Sequence, residues 1–197
     1  MRPRFHIGLA ATVTAVALMS GSAGIRAAEP APAAATAAPA IPQWFLEHMD
    51  SLIGQWRTDN SAYLSEQETA EAYGLRWKWG VGQTSLDGVL YGMEAGEPET
   101  PYWNFRVYWH PGERRARVDQ WGHGGTLLSG WLEPADGTRG ETVFESEQTL
   151  YAVDGQTART RHRTTIKGDL KLTQSFDWVD GSWSPRRSYT WHRDPPE

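Results

Sequence analysis

The chain contains no cysteine, so disulfides, thiolate chemistry and a lipidated cysteine anchor are all excluded. It has no apolar run long enough for a bilayer-spanning helix; the stretch from Ile7 to Met19 falls short of the roughly 20 residues needed. Basic residues are outnumbered, 19 Lys and Arg against 24 Asp and Glu. That balance disfavours nonspecific nucleic-acid binding, which depends on neutralising many phosphates. The six histidines show no metal-ligand spacing. His123-Gly124-Gly125 resembles part of an oxyanion loop, but no Gly-x-Ser-x-Gly nucleophile elbow accompanies it. Large apolar groups are almost missing from 28–42, which is nearly all Ala and Pro. Such a stretch cannot bury enough surface to fold alone and reads as a disordered tether.

What is present begins with a leader. Arg2 and Arg4 precede the apolar Ile7 to Met19, and small residues then offer cleavage after Ala23 or Ala27. Residues 1–27 therefore read as a secretory signal peptide, and the mature protein as periplasmic or secreted with no membrane span after processing. Loss of Arg2, Arg4 and Arg26 makes the mature chain more acidic than the formal −5 of the whole. Residues 43–197 are the length of one ordinary domain. Eleven tryptophans are spread through the chain; aromatic side chains favour strands and supply large buried areas to a small core.

The patterning is that of an all-β domain with a short N-terminal helix. Gln43 to Ser51 fits two helical turns with Trp44 and Met49 on one side, placed to plug a barrel end, and needs tertiary support to persist. Ile53 to Arg57 is the first strand. Tyr73, Leu75, Trp77 and Trp79 then recur at period two around Arg76 and Lys78, a half-buried strand. Trp103, Phe105, Val107 and Trp109 repeat that pattern, and a turn at Pro111 to Arg114 pairs Val107 with Val118 inside and Arg106 with Asp119 outside. About ten short strands joined by tight turns, with no interleaved helices, predict an antiparallel up-and-down barrel, which leaves no exposed sheet edge.

Two Asp-Gly pairs, Asp154-Gly155 and Asp180-Gly181, signal two-residue hairpin turns of type I′. The second turn sets Trp178 against Trp183, Phe176 against Pro185, Gln174 against Arg187, Leu172 against Tyr189 and Leu170 against Trp191. The first pairs Glu147 with His162 and Glu145 with Thr164, and leaves Arg159, Arg161 and Arg163 outside. A three-residue loop, Lys167-Gly168-Asp169, then sets His162 beside Gln174. Together these registers predict one transverse row facing the lumen: Glu147, His162, Gln174 and Arg187. Buried charges need partners, so the row is either a satisfied structural network or a ligand contact. In the ligand reading Arg187 holds a carboxylate, with His162 and Gln174 as further contacts. Trp77, Trp79, Phe105, Trp109, Trp131, Phe176 and Tyr189 line the cavity, an apolar pocket with a few convergent polar groups.

Gly54-Gln55-Trp56, just after a short amphipathic segment, resembles the first strand of the calycin superfamily of lipocalins and fatty-acid-binding proteins. The Trp-rich second strand and the closing Asp180-Gly181-x-Trp183…Tyr189-x-Trp191-x-Arg193 hairpin look like exported bacterial lipocalin-like domains of unknown function; the resemblance covers roughly 50–193. It implies a ligand-binding barrel in which a late arginine packs across the first-strand tryptophan. Arg187 and Arg193 are both candidates for that place; register favours Arg187 for the lumen, with Arg193 as the alternative that caps the barrel end over Trp56. A related ten-stranded barrel, the nitrobindin type, binds haem through a histidine near the barrel's end. This chain departs from that type after Trp56, reading Arg57-Thr58-Asp59-Asn60 where further glycines are expected. His192 turns outward, leaving His162 as the inward candidate for haem; no other cofactor is expected. These readings converge on an exported binding protein for a small amphipathic or hydrophobic ligand, with enzymatic activity left open. Two rivals use the same lumen: an enzyme with His162 as general base oriented by Glu147, and a scaffold whose tryptophans fill the barrel.

Overall fold

In the computed structural model the described residues are 41–94 and 97–195, with side chains described outside 95–100. The leader and most of the tether expected at 1–42 lie outside this range. One helix precedes ten strands: α1 (Gln43–Leu52), β1 (Gly54–Asp59), β2 (Ala72–Trp79), β3 (Ser85–Glu94), β4 (Glu97–His110), β5 (Arg115–Gly122), β6 (Leu127–Pro134), β7 (Thr142–Tyr151), β8 (Thr157–Lys167), β9 (Leu170–Val179) and β10 (Ser182–Arg193). Each strand pairs antiparallel with the next, and β10 returns to β1, closing the barrel. The up-and-down architecture is the one the strand spacing predicts. No helix among the described residues is long and apolar enough to cross a membrane.

Helix α1 stoppers one end. Its buried residues, Phe45, His48, Met49 and Leu52, recur at the spacing of one helical face. Trp44 and Phe45 pack on Trp109, with ring centres 6.2 and 5.9 Å apart, and His48 lies on Phe144 at 3.3 Å. The indole of Trp56 donates to the Leu52 carbonyl at 2.8 Å, tying the helix to β1. Arg193 lies 4.2 Å over that indole ring and donates to the carbonyls of Ile53 and Ser51. Arg193, not Arg187, thus packs across Trp56.

The β4–β5 junction follows the expected register, with Val107 opposite Val118 and Arg106 opposite Asp119. Three later junctions each depart by one residue. At β7–β8, Glu147 pairs with Arg161 and Glu145 with Arg163. Only Gly155 of that turn has positive φ, and Gly155 N–H donates to Ala152 at 3.0 Å. This is a type I turn with a bulging glycine rather than a two-residue type I′ turn. At β8–β9 the loop is two residues, so His162 faces Ser175. At β9–β10 the Asp180-Gly181 turn is type I′ as expected, with both φ positive, and Trp178 meets Trp183. A bulge between Pro185 and Arg187 then shifts the remainder, pairing Arg187 with Ser175 and Tyr189 with Thr173. Proline has no N–H for the ladder, and bulges are where sheets accommodate it.

A slip of one residue turns a strand over. Leu170 and Leu172, expected inside, are 47% and 36% exposed, and Lys171 and Ser175 face the interior instead.

Candidate functional site

The lumen is open. A cavity of about 550 Å³ runs from the helix-capped floor, where His48 and Leu52 line it, to a mouth at Glu68, Tyr102 and His123. The tryptophans therefore do not fill the barrel. One reason is local: Gly88 lies opposite Trp77, and a Cβ there would come within 2.5 Å of the indole ring. The glycine lets Trp77 lie flat against the wall.

The two sides of the cavity differ in chemistry. Strands β2 to β5 contribute Leu75, Trp77, Leu90, Phe105, Val107 and Val118. Strands β7 to β9 contribute Ser146, His162, Thr164, Thr173 and Ser175. The inward transverse row is Ser146, His162, Ser175 and Arg187. Two of the four expected members, His162 and Arg187, hold their places, and each of the others is replaced by its chain neighbour.

Glu147 is a correction. It sits on the outer face, where its carboxylate accepts from Arg161 at 2.5 Å and from Arg159 at 3.3 Å. The Arg161 bond holds its carboxyl below the usual range. Trp131 is a second correction: it lies outside, with Arg115 and Arg117 over its ring at 4.7 and 5.1 Å. Gln174 pairs with Arg163 and Ser188, one residue off the inward row, and is among the cavity-lining residues. Trp79 and Trp109 belong to the hydrophobic core, Trp109 under α1, and neither is among the cavity-lining residues. Phe176, expected to line the cavity, does not. Tyr189 lines it, close to Arg187.

Arg187 already has a carboxylate. Its two terminal nitrogens donate to Glu68 at 2.6 and 2.5 Å, a bidentate pair, and it also donates to Tyr189 Oη at 3.1 Å. Glu68 accepts further from Tyr73 Oη at 2.5 Å and Asn60 at 3.1 Å. The Arg187 hydrogen bonds hold the Glu68 carboxyl below its usual range, while burial and the Glu68 bond raise the Tyr73 phenol. The β1–β2 loop that carries Glu68 is thereby latched across the mouth. Nothing local in the sequence flags Glu68, because its partner lies more than a hundred residues away.

His162 partners Gln148, not Glu147. Gln148 Oε1 accepts from Gln120 at 2.7 Å, and Gln148 Nε2 turns to the Val118 carbonyl at 3.5 Å. With the amide so oriented, His162 Nδ1 at 3.1 Å is the donor to Oε1, leaving Nε2 as an acceptor. Burial, with a smaller effect from Arg186, lowers the imidazole to about 4. His162 and Glu147 lie on opposite faces of the wall, so the general-base pair expected from sequence does not exist. For a haem, His162 is the one cavity-lining imidazole on the strand wall; His48 is stacked on Phe144 at the floor, and Arg187 is committed to Glu68. His162 would hold a haem from the wall, His123 at the mouth is a further cavity-lining imidazole, and Arg187, committed to Glu68, would not be free for its carboxylates.

Two floor residues escaped sequence reasoning. The type I′ register run through β9 unbroken turns Lys171 outward, and the bulge after Pro185 reverses that. His48 follows Phe45 by three and precedes Met49 by one, so the helical face that buries them carried its signal.

No family model matches the chain, and no curated protein matches it. Among solved structures, the chain is similar to the crystal structure of Rv2717c from M. tuberculosis, with a TM-score of 0.45 and 14% sequence identity over 77% of this chain and 98% of that one.

Proposed function

We propose that this barrel is an exported binding protein for a small amphipathic molecule held in the lumen. The observation that carries the reading is the open cavity of about 550 Å³ with one apolar and one polar long wall. Its size falls within the range of small-molecule sites, and its few polar groups are placed rather than scattered. The split lining favours a ligand that is polar along one side, with hydroxyls able to donate to His162 Nε2 and to meet Ser146, Thr164 and Ser175. Arg187 serves as the mouth latch in this reading, not as the carboxylate anchor. The leader-like 1–27 supports export to the periplasm or beyond, and Trp56 under Arg193 agrees with a lipocalin-like barrel.

Native mass spectrometry of the mature protein, purified from an exported expression, tests this directly. The expected result is a reproducible adduct that disappears in Leu90→Trp, where a larger side chain occupies the lumen. A clean apo mass that persists after incubation with fatty alcohols, fatty acids, sterols and haem would overturn it.

A further inference from the structure

The cavity floor carries two polar groups that the barrel leaves without partners. Lys171 is 1% exposed and lines the cavity, yet it makes no hydrogen bond or ion pair among the described residues. Its contacts are two indole rings: Nζ lies 4.6 Å from the centre of Trp56 and 4.7 Å from that of Trp191. The neighbouring charge is Arg193, of the same sign, and Asp169 is already engaged by Arg193 at 3.2 Å. His48, also lining this floor, has its Nδ1 buried and unpaired. A lysine enclosed in this way, with no counter-charge, is costly to keep and asks for a use.

Burial, with Arg193 beside it, holds the Lys171 amine well below the usual lysine range. The two rings soften the desolvation of an ammonium but supply no counter-ion. Burial that disfavours the ammonium leaves a larger share of the amine neutral, and desolvation is one of the ways lysines are activated for Schiff-base chemistry. Thr173, two residues along on the same face, also lines the cavity. Its oxygen accepts from Trp191 Nε1 at 2.8 Å, which leaves the hydroxyl proton to be donated.

We propose that Lys171 is a covalent anchor, condensing with the aldehyde or ketone carbonyl at the leading end of a lipophilic ligand. The Nζ lone pair attacks the carbonyl carbon, a C–N bond forms, and the C=O π pair moves to oxygen. One amine proton passes to that oxygen, with the Thr173 hydroxyl placed to steady it. The carbinolamine then loses its hydroxyl together with the second amine proton as water, giving the imine. Nothing is oxidised or reduced. A carboxylate would instead bring a second charge to an apolar floor and require Lys171 to be protonated. A carbonyl needs neither. The inference rests on the lumen being a ligand site and names the functional group that the site takes.

The chain has three lysines, and the other two, Lys78 and Lys167, are exposed, so the target can be mapped. Mature protein is incubated near pH 7 with dodecanal and sodium cyanoborohydride and mapped by peptide mass spectrometry. Dodecanol and dodecanoate binding are followed in parallel by tryptophan fluorescence. The expected result is alkylation at Lys171 at least about tenfold faster than at Lys78 or Lys167, reflecting its larger neutral fraction. The label should vanish in Lys171→Met, which keeps the shape, and fall sharply in Leu90→Trp, which keeps the amine but blocks its approach. If dodecanol binds while the label spreads over Lys78, Lys167 and the N-terminus, the anchor is wrong and the lumen reading stands. Dodecanoate binding that depends on Lys171, with no trapped aldehyde, overturns the anchor in favour of an ion contact. If none of the three twelve-carbon probes binds, the lumen reading falls and the anchor with it.

Discussion

At the residue scale the buried histidines set how the fold answers to acid. His48 is lowered to about 3 by burial and by Lys171, and His162 to about 4 by burial and Arg186. Both rings are neutral in the folded barrel near pH 7, whereas in the unfolded chain they titrate near 6.5. Below pH 6.5 the unfolded state binds more protons than the folded one, so stability falls as pH drops and levels off below the folded values. Each ring contributes a loss of about 1.4 kcal/mol per pH unit between 6.5 and its folded value. Lys171, held well below the usual lysine range, makes stability fall as pH drops from the alkaline side, and the two rings are expected to add a further slope, measured by urea unfolding, from 6.5 to 4. His48→Gln should remove about half of that slope; an unchanged slope in the variant would refute the assignment. Of these two residues, His162 was legible from alternation along β8. The neutral state of His48 was not, because it depends on α1 meeting Phe144 and Lys171, residues distant in sequence.

At the element scale, the same dipeptide makes two different turns. Asp180-Gly181 has both φ positive, and its strands are held by the Trp178–Trp183 ring contact at 5.0 Å. In the other hairpin Asp154 Oδ1 accepts from Gln156 N–H at 3.0 Å, stabilising a turn in which only Gly155 is left-handed. The decisive information lay in the strands. Glu145 and Glu147 reach Arg163 and Arg161 outside only when the register is one residue off the type I′ value, and keeping two carboxylates out of the lumen outweighs a turn preference. Alternation thus marks the strands, while at this junction the charges on the strand faces, not the turn dipeptide, set the register. The bulge after Pro185 had its own signal in the proline. A matched pair of substitutions checks the turn assignment. Asp154→Gly should cost about 1 kcal/mol, losing its side-chain bond and adding chain entropy. Asp180→Gly should stay within about 0.5 kcal/mol of wild type, since it relieves a left-handed non-glycine. Equal urea midpoint shifts in the two variants would contradict the two-turn description.

At the scale of the whole molecule, the barrel is closed by a short seam. Strands β9 and β10 pair along nearly their full length, whereas β1 and β10 share two register pairs, Trp56 with Arg193 and Arg57 with His192. Two further bonds help, Asp194 N–H to the Gln55 carbonyl and the Thr58 hydroxyl to the Thr190 carbonyl, both at 2.8 Å. Arg193 draws the seam, the helix and Asp169 together. Arg193→Ala is expected to cost about 2 kcal/mol, the scale of hydrogen bonds to a charged, part-buried group. Its signature should be hydrogen exchange that rises first in 54–59 and 187–193 while β3 to β5 stay protected. Uniform acceleration around the barrel would show that the seam is not the weak point. Architecture at this scale was the most legible part of the chain, because ten alternating segments without crossover helices admit few arrangements. The latch of Glu68 on Arg187 was the least legible, since a loop and a strand meet there only once the barrel has closed.

The split lining of the lumen has a further consequence. The long axis runs from the Lys171 floor to the Glu68 mouth, and across it the wall of Trp77 and Phe105 differs from the wall of His162 and Thr164. Up and down are distinct, and so are front and back, and the right-handed twist of the strands sets left apart from right. A molecule seated in such a tube is fixed in roll as well as in depth, and its mirror image cannot satisfy both walls at once. A chiral ligand of the kind proposed would therefore be taken in one hand over the other, and a racemic mixture passed over the barrel is expected to emerge enriched.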